Sequence, residues 1–278
     1  MTVPPSAPRV MGIVNVTPDS FSDGGRHAGV AAAVEHGLRL VEQGADILDV
    51  GGESTRPGAE PVDVVEEIAR TVPVVEGLRA RWDGPISIDT MKPEVARAAV
   101  AAGATMWNDV AALGWSPDAP AVAAELGCEV VLMHMKGEPR TMQADPRYED
   151  VVAEVTDWLV ARAEAAMAAG VARERIRLDP GLGFGKTAAH NLLLTARLDR
   201  LVAAGFPVLY GASRKRTIQS VDPTATDPLD RLGGSLALAL EAARRGAAII
   251  RVHDVRETVQ ALKLQAAVTG AGLSPRPV

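Results

Sequence analysis

The chain has 278 residues and a formal net charge of -6 at pH 7, with 47% hydrophobic but only 3% aromatic residues. That length suits an α/β barrel, which needs about 250 residues, and the composition predicts a core of Val, Leu, Ile and Ala. The acidic balance disfavours a general role in binding nucleic acid or a membrane surface, since such roles require basic faces.

In chain order, apolar strands alternate with helical segments. Strands are predicted at residues 10–15, 46–50, 85–89, 105–109, 129–134, 175–179, 207–210 and 248–253. Helices are predicted at residues 30–43, 62–81, 93–102, 117–126, 148–169, 190–204, 227–245 and 255–268. Glycines end several of these helices and prolines lie in the first turn of others, as helix boundaries favour.

Eight strand–helix units in strict alternation predict an α/β protein. The strands are continuously apolar rather than alternating, which indicates parallel strands covered by helices. A single closed (β/α)8 TIM barrel is the natural architecture, and a doubly wound open sheet is the alternative. No linker divides the chain, so we predict one domain over residues 1–278, with its core at about 9–270 and frayed ends.

The start of the chain, MTVPPSAPRV, has no apolar signal core, and no uninterrupted apolar run reaches membrane-spanning length. We therefore expect a cytoplasmic protein that does not enter a membrane. The single cysteine, Cys128, lies in the apolar context ELGCEV, so it cannot form an internal disulfide and is expected to be a buried thiol.

Every predicted strand ends in a hydrogen-bonding or charged side chain. These are Asn15, Asp49, Asp89, Asn108, His134, Asp179, the segment Ser213-Arg214-Lys215, and Arg251 with His253. A turn or a cap explains any one of them, but not all eight strand ends together. Because the carboxyl ends of the strands converge on the active site of a TIM barrel, we predict an active-site mouth there.

The strand-end residues fall into two chemical groups. Asp89, Asn108 and Asp179 offer planar acceptors and an amide donor, which suit a flat heterocycle with adjacent N–H groups. Arg251 and His253 are two residues apart on a strand end, so they face the same side and could share an anion. Strands seven and eight are where barrels commonly bind phosphate.

The sequence contains few patterns that are typical of metal-binding sites. Asn15 could give one oxygen to Mg²⁺, whose other ligands would be phosphate oxygens and water. No CxxC or HExxH spacing occurs, which disfavours tightly bound zinc, and GLGFGK at 181–186 lacks the full Walker spacing of a phosphate loop.

These motifs resemble dihydropteroate synthase, the folate-pathway target of sulfonamides. The resemblance runs over nearly the whole chain, through MGIVNVTPDSFSDGG, GGESTRPGA, ISIDT, NDV, MHMKGEPRTMQ, DPGLGFGKT, GASRK and RVHDV. It implies a transferase that joins 6-hydroxymethyl-7,8-dihydropterin diphosphate to 4-aminobenzoate and releases diphosphate.

The resemblance also assigns site residues. The pterin pocket would be formed by Asp89, Asn108, Asp179 and Lys215, with Met133 and Phe184 as apolar walls. The diphosphate and Mg²⁺ site would be formed by Asn15, Arg251 and His253, with Ser213 retained beside Lys215. The 4-aminobenzoate side would be formed by Phe21, Thr55, Arg56 and Pro57, together with Lys215 and Phe184. Asp23 would face the developing pterin cation.

The chemistry agrees with these assignments. Loss of diphosphate leaves a cation delocalised into the pterin ring, so catalysis needs charge stabilisation by Mg²⁺, Arg251 and His253. The arylamine is neutral at pH 7 and needs no strong general base. We expect Asp23 and Lys215 to complete the catalytic set. The first polar loop (residues 16–29) and the second polar loop (residues 51–61) could act as lids that complete the site for the second substrate.

Some features depart from the family pattern or leave alternatives open. After GASRK the chain reads Arg-Thr-Ile-Gln at 216–219, where the family often has a small or apolar residue and a glycine. The rival functions are a corrinoid-linked methyltransferase, an inactive paralogue that serves as a binding module, and a Schiff-base aldolase using Lys215. Residues 233–243, GGSLALALEAA, could pack against another helix, so we expect a homodimer through the last helices.

Overall fold

The computed structural model describes residues 7–16, 25–53, 61–137 and 141–272. Its eight strands are β1 (Arg9–Asn15), β2 (Ile47–Gly51), β3 (Ile86–Asp89), β4 (Met106–Asp109), β5 (Glu129–Met133), β6 (Ile176–Asp179), β7 (Leu209–Tyr210) and β8 (Ile249–Val252). All paired strands are parallel, in the order β6-β5-β4-β3-β2-β1-β8-β7. A bridge between Leu178 and Val208 brings β7 back to β6. The predicted TIM barrel is therefore confirmed.

Ten helices surround the strands in the part of the chain described. They are α1 (Gly25–Glu42), α2 (Val64–Arg79), α3 (Pro93–Ala101), α4 (Ala119–Leu126), α5 (Val151–Ala168), α6 (Ala188–Ala196), α7 (Leu198–Val202), α8 (Arg216–Val221), α9 (Leu232–Arg244) and α10 (Val255–Gly272). None of them is both long enough and apolar enough to cross a membrane.

Three helical segments differ from the sequence prediction. The helix predicted at 190–204 is broken at Arg197, whose φ of -122° leaves the helical range between α6 and α7. The helix predicted at 227–245 begins as a 3-10 turn, Pro228–Arg231, before α9. Helix α8 lies in the seventh loop, where no helix was predicted.

The barrel interior is filled in layers. Buried apolar side chains from six strands form an inner cluster: Met11, Ile47, Met106, Val131, Leu209 and Ile249. Residues two apart on a strand face the same side, so Asp49 lies one layer above Ile47, and Arg251 one layer above Ile249. The apolar layer thus forms the floor under the polar residues at the carboxyl ends of the strands.

The larger core lies between the strands and the helices, where the other face of each strand packs. Strands that are buried on both faces read as continuous apolar runs, which is the pattern seen in the sequence. Cys128 is buried in this layer, as predicted, and burial raises the pKa of its thiol to about 11.

Candidate active site

Arg251 joins three strands at the centre of the mouth. Its Nε donates to Asp49 Oδ2 at 2.6 Å, and its terminal nitrogen donates to Asp89 Oδ2 at 2.7 Å. Asn108 completes the group by donating its amide to Asp49 Oδ2 at 3.1 Å. The sequence analysis expected Arg251 and His253 to share an anion; in the structure, Asp49 and Asp89 bind the Nε and one terminal nitrogen of Arg251.

The charges in this group strongly affect one another. Burial raises the pKa of Asp89 to about 7, although the nearby Arg251 guanidinium opposes the shift. Burial also disfavours the charged form of Arg251, but the carboxylates of Asp49 and Asp89 outweigh that effect and raise its pKa. Arg251 therefore stays a cation at any pH at which the protein is folded.

The opposite side of the mouth is formed by Asp179, Lys215 and Phe184. Asp179 ends β6 and accepts a hydrogen bond from the Gly181 N–H at 2.7 Å. Lys215 Nζ lies 4.9 Å from the centroid of the Phe184 ring and donates to the Leu182 carbonyl. Burial lowers the pKa of Lys215 to about 8, and the Asp179 carboxylate partly offsets this.

Apolar side chains line the mouth between these charged groups. Met133, at the end of β5, packs with Met91 and Val110 in a small buried cluster, and the partly buried Phe184 contacts the same cluster. The structure thus brings Met133 and Phe184 together in one apolar cluster. A flat ring bound here would meet carboxylates at its edges and apolar side chains on its faces.

Ser213 and His253 form a second polar contact at the rim. His253 Nδ1 lies 3.0 Å from Ser213 Oγ, and the His253 backbone N–H donates to the same oxygen at 3.2 Å. A cavity of about 330 Å³ opens beside them and is also lined by Asn15, Arg214 and His36. Asn15 and His253 therefore face one cavity, although they lie on opposite ends of the chain.

Arg214 lines this cavity and is held there by an ion pair. Its guanidinium pairs with Asp254, with Nε 3.0 Å from Oδ2, and its backbone adopts a positive φ of 59°. The buried Arg231 supports this turn by donating to the carbonyls of Arg214 and Ala225, both at 3.0 Å. These contacts fix the backbone of the seventh loop at Arg214.

The unusual segment at 216–219 is accommodated within α8. Thr217 Oγ1 accepts a hydrogen bond from the Asn191 amide at 2.9 Å, and Gln219 Oε1 accepts one from Arg231 at 3.0 Å. These residues bind to the scaffold, so the departure from the family pattern leaves Ser213 and Lys215 in place.

The sequence analysis assigned His134 to the active-site mouth, but in the structure His134 contacts Lys186 instead. Its side chain is buried, and its Nδ1 lies 2.8 Å from Lys186 Nζ. Lys186 also donates to the carbonyls of Gly181 at 2.9 Å and Phe184 at 3.0 Å, so it holds the sixth loop. Burial, assisted by Lys186, lowers the pKa of His134 to about 3. His134 is therefore neutral. The sequence analysis did not predict a role for Lys186, because the segment that contains it lacks the full Walker spacing of a phosphate loop.

Several predicted site residues lie outside the described part of the chain. They are Phe21, Asp23, Thr55, Arg56 and Pro57. Among the described residues, no group of three or more His, Cys, Asp or Glu side chains is placed to hold a metal ion. Asn15 offers a single exposed amide oxygen at the end of β1, which suits a cation that takes its remaining ligands from phosphate and water.

The chain is similar to known pterin-binding proteins over most of its length. Residues 11–253 match the family described as "Pterin binding enzyme". The chain is 50% identical over 266 residues to the dihydropteroate synthase of Escherichia coli (strain K12), which covers 96% of this chain and 93% of that protein.

Two solved structures are similar in both sequence and fold. The Xanthomonas albilineans dihydropteroate synthase with 4-aminobenzoic acid has a TM-score of 0.90 and 55% identity, covering 97% of this chain and 95% of that one. The same organism's enzyme in complex with 7,8-dihydropteroate has a TM-score of 0.87 and 52% identity, with the same coverage.

Proposed function

The chain belongs to the dihydropteroate synthase family of pterin-binding enzymes, and we propose how the residues of its barrel mouth carry out that transfer reaction. The enzyme condenses 6-hydroxymethyl-7,8-dihydropterin diphosphate with 4-aminobenzoate, giving 7,8-dihydropteroate and diphosphate in folate biosynthesis. The observation that carries the residue assignment is the Arg251 bridge to Asp49 and Asp89, beside Asn108 and above an apolar floor.

The pterin ring is recognised at its edge by two carboxylates and an amide. Arg251 engages one oxygen of Asp89, and the Gly181 N–H engages one oxygen of Asp179. We assign the second oxygen of each carboxylate, and the Asn108 amide oxygen, to the N–H groups of the ring. Because these groups are buried on rigid strand ends, they bind the ring without having to be ordered first.

The apolar contacts and the cation of Lys215 complete the pterin pocket. Met133 and Phe184 cover the faces of the ring. Lys215 lies over the Phe184 ring beside this pocket, and we assign both residues to the 4-aminobenzoate side as well. The sequence assigns Phe21, Thr55, Arg56 and Pro57 to that side, and we retain this assignment as a prediction.

The leaving diphosphate is bound at the rim by Ser213, Lys215, His253 and the terminal nitrogen of Arg251 that does not bind Asp89. Ser213 orients His253 through contacts with both its ring Nδ1 and its backbone N–H. We also propose that Asn15 contributes one oxygen to Mg²⁺. When bound, Mg²⁺ would neutralise part of the charge on the leaving group.

In the reaction, the bond between the pterin methylene carbon and the diphosphate oxygen breaks, and its electron pair leaves with the diphosphate. The positive charge on the carbon is delocalised into the pterin ring, near Asp89 and, by the sequence assignment, Asp23. The amine nitrogen of 4-aminobenzoate then attacks the carbon, and it loses its extra proton to solvent. Fixed cations and carboxylates thus stabilise charge at both ends of the breaking bond.

The test is to measure diphosphate release with Mg²⁺, in the presence and absence of 4-aminobenzoate, for the wild type and Lys215→Ala. We expect condensed product from the wild type and its loss in the variant. Asp199→Asn is a matched control, because it removes a carboxylate that pairs with Arg245 far from the mouth. A folded wild type that binds pterin but forms no product would favour the paralogue or the methyltransferase instead.

The pterin assignment has a separate test by calorimetry. We expect Asp179→Asn to weaken binding of the pterin diphosphate by about 1.5–3 kcal/mol, the range for a hydrogen bond to a charged group. Titrating diphosphate with and without Mg²⁺ into the wild type and Asn15→Ala would test the metal assignment. If Mg²⁺ strengthens diphosphate binding equally in both proteins, Asn15 is not its ligand.

We further propose that the protein is a cytoplasmic homodimer. Leu264 and Val268 lie one turn apart on α10 and are 66% and 67% exposed, which gives an apolar stripe that a partner helix would cover. A monomeric mass by light scattering at micromolar concentration would exclude the dimer, and cell fractionation would test the location.

A further inference from the structure

A buried cluster of three charged side chains lies outside the strand-end groups, beneath the start of the second polar loop. Lys92 precedes α3, and its Nζ donates to Glu67 on α2 at 2.5 Å and to the carboxylate of Glu53. The side chains of Lys92, Glu53 and Glu67 are only 7%, 12% and 0% exposed. Glu53 directly follows Gly52 and leads into the second polar loop.

A buried cluster of charged side chains is an inefficient way to stabilise a fold. Removing charged groups from water costs several kcal/mol for each ion, and well-packed apolar side chains often stabilise such a site equally well. Here two carboxylates also share one ammonium, so one negative charge is not balanced within the cluster. A buried ionic group of this kind is better suited to fixing one geometry than to adding stability.

The backbone around Gly52 is held by two further contacts. Arg70 on α2 donates to the Gly52 carbonyl at 3.0 Å, and it is itself oriented by Glu66 at 2.9 Å. A Cβ at Gly52 would lie 2.7 Å from Thr71 Cγ2, so only glycine allows the chain to pack this close to α2. The chain therefore leaves β2 along a path that α2 and Lys92 together define.

We propose that Lys92 and Glu53 are positioning residues that set the direction in which the chain leaves β2 at Glu53, toward the second polar loop. This inference rests on the proposed function, in which Thr55, Arg56 and Pro57 of that loop contact 4-aminobenzoate. Lys92 holds Glu53 through the ion pair, and Glu67 holds Lys92 against α2. Neither Lys92 nor Glu53 needs to contact a substrate for this role.

The proposal predicts separate effects on the two substrates. The pterin pocket is assigned to residues on the described strand ends, whereas the 4-aminobenzoate side is assigned by sequence to residues 55–57 of the second loop. A small displacement of groups that position a substrate can cost a large factor in rate. A purely structural role would instead lower the melting temperature and leave both KM values of the folded enzyme unchanged.

Glu53→Ala is the informative variant, because it removes only the ion pair between Lys92 and Glu53. The Lys92–Glu67 pair remains, and its charges balance. We expect the KM for 4-aminobenzoate to rise about tenfold or more, while the dissociation constant of the pterin diphosphate changes less than about twofold. Lys92→Met should likewise raise the KM for 4-aminobenzoate and leave pterin binding nearly unchanged, and it should also lower the melting temperature.

Two matched controls use the same substitutions elsewhere. Glu125→Ala removes an exposed partner of Arg97, and Lys263→Met changes an exposed lysine on α10. Neither substitution should change the KM for 4-aminobenzoate or the dissociation constant of the pterin diphosphate. If Glu53→Ala leaves the KM for 4-aminobenzoate unchanged, or raises both constants together, the positioning role is wrong. A wild type that makes no condensed product would refute the proposed function instead, so the two failures are distinguishable.

Discussion

Arg251 on β8 donates a 2.6 Å hydrogen bond to Asp49 on β2, although 202 positions separate them in the sequence. The parallel order β2-β1-β8 places β2 and β8 on either side of β1, so inward side chains of the two strands meet across β1. Arg251 also reaches Asp89 on β3. One guanidinium thus connects the first and last quarters of the chain at the point where the substrate is predicted to bind.

Arg251→Met should reduce stability as well as activity. The substitution leaves Asp49 and Asp89 as buried carboxylates without their cation, and breaking such a pair costs about 3–5 kcal/mol. We expect a loss near the lower end, because the Arg251 side chain is 22% exposed and water can partly compensate. Urea unfolding would measure the loss.

A double variant distinguishes charge from packing in this group. Adding Asp49→Asn to Arg251→Met removes one of the two carboxyl groups that lose their cation, so it should recover part of the lost stability. If the double variant is no more stable than Arg251→Met, the lost contacts of the arginine side chain, and not the unpaired carboxylates, explain the effect.

The rate should fall as pH rises above about 8 because of Lys215. Burial lowers the pKa of this lysine to about 8, so it is a cation below that pH and neutral above it. Binding of an anionic leaving group needs the cation, so kcat/KM for the pterin diphosphate should have a descending limb near pH 8. Lys215→Arg keeps its charge at all accessible pH values and should move that limb upward. A limb that stays near pH 8 in the variant would assign it to another group.

The strands and the polar residues at their ends were predictable because both depend on local sequence. Each strand is a short apolar run, and in parallel strands buried on both faces such runs are unmistakable. The end residues followed from the rule that strand ends meet at the mouth, and Asp89 and Asn108 are register partners at the ends of β3 and β4.

The partners of those residues were not predictable, because they depend on distances across the barrel. The sequence could not show that Arg251 contacts Asp49, or that His134 turns toward Lys186 behind the mouth. The break at Arg197 also has no signal, since the flanking residues favour a continuous helix. The inward alternation of β2 did carry a clue, because a fully buried Asp49 requires a buried cation or donor.

Lys186→Met should destabilise the protein although Lys186 contacts no predicted substrate. The variant removes the donor for the carbonyls of Gly181 and Phe184 and for His134, all of which are buried or half-buried. An unsatisfied buried group costs about 1–3 kcal/mol, so we expect a loss of at least about 2 kcal/mol in urea unfolding. Lys263→Met on the exposed face of α10 should stay within about 0.5 kcal/mol of the wild type. Equal stabilities of the two variants would mean that the sixth loop holds its shape without the lysine.

Gly181→Ala should be among the most damaging single substitutions in the chain. Gly181 has a φ of 63°, and a Cβ there would lie 1.9 Å from the His134 carbonyl oxygen, which is backbone and cannot move aside. Relieving that clash would shift the sixth loop and with it the N–H that binds Asp179. We expect a stability loss above about 3 kcal/mol and loss of pterin binding, measured by thermal unfolding and calorimetry.

Gly233→Ala is the matched control for this prediction. Gly233 lies in α9, and no atom approaches within 4 Å of a Cβ built on it. Because alanine favours a helix more than glycine does, the control should be more stable than the wild type by up to about 1 kcal/mol. If Gly181→Ala folds with wild-type stability and binds pterin normally, the sixth loop must adopt a second backbone path, and the proposed rigidity of the Asp179 site would be wrong.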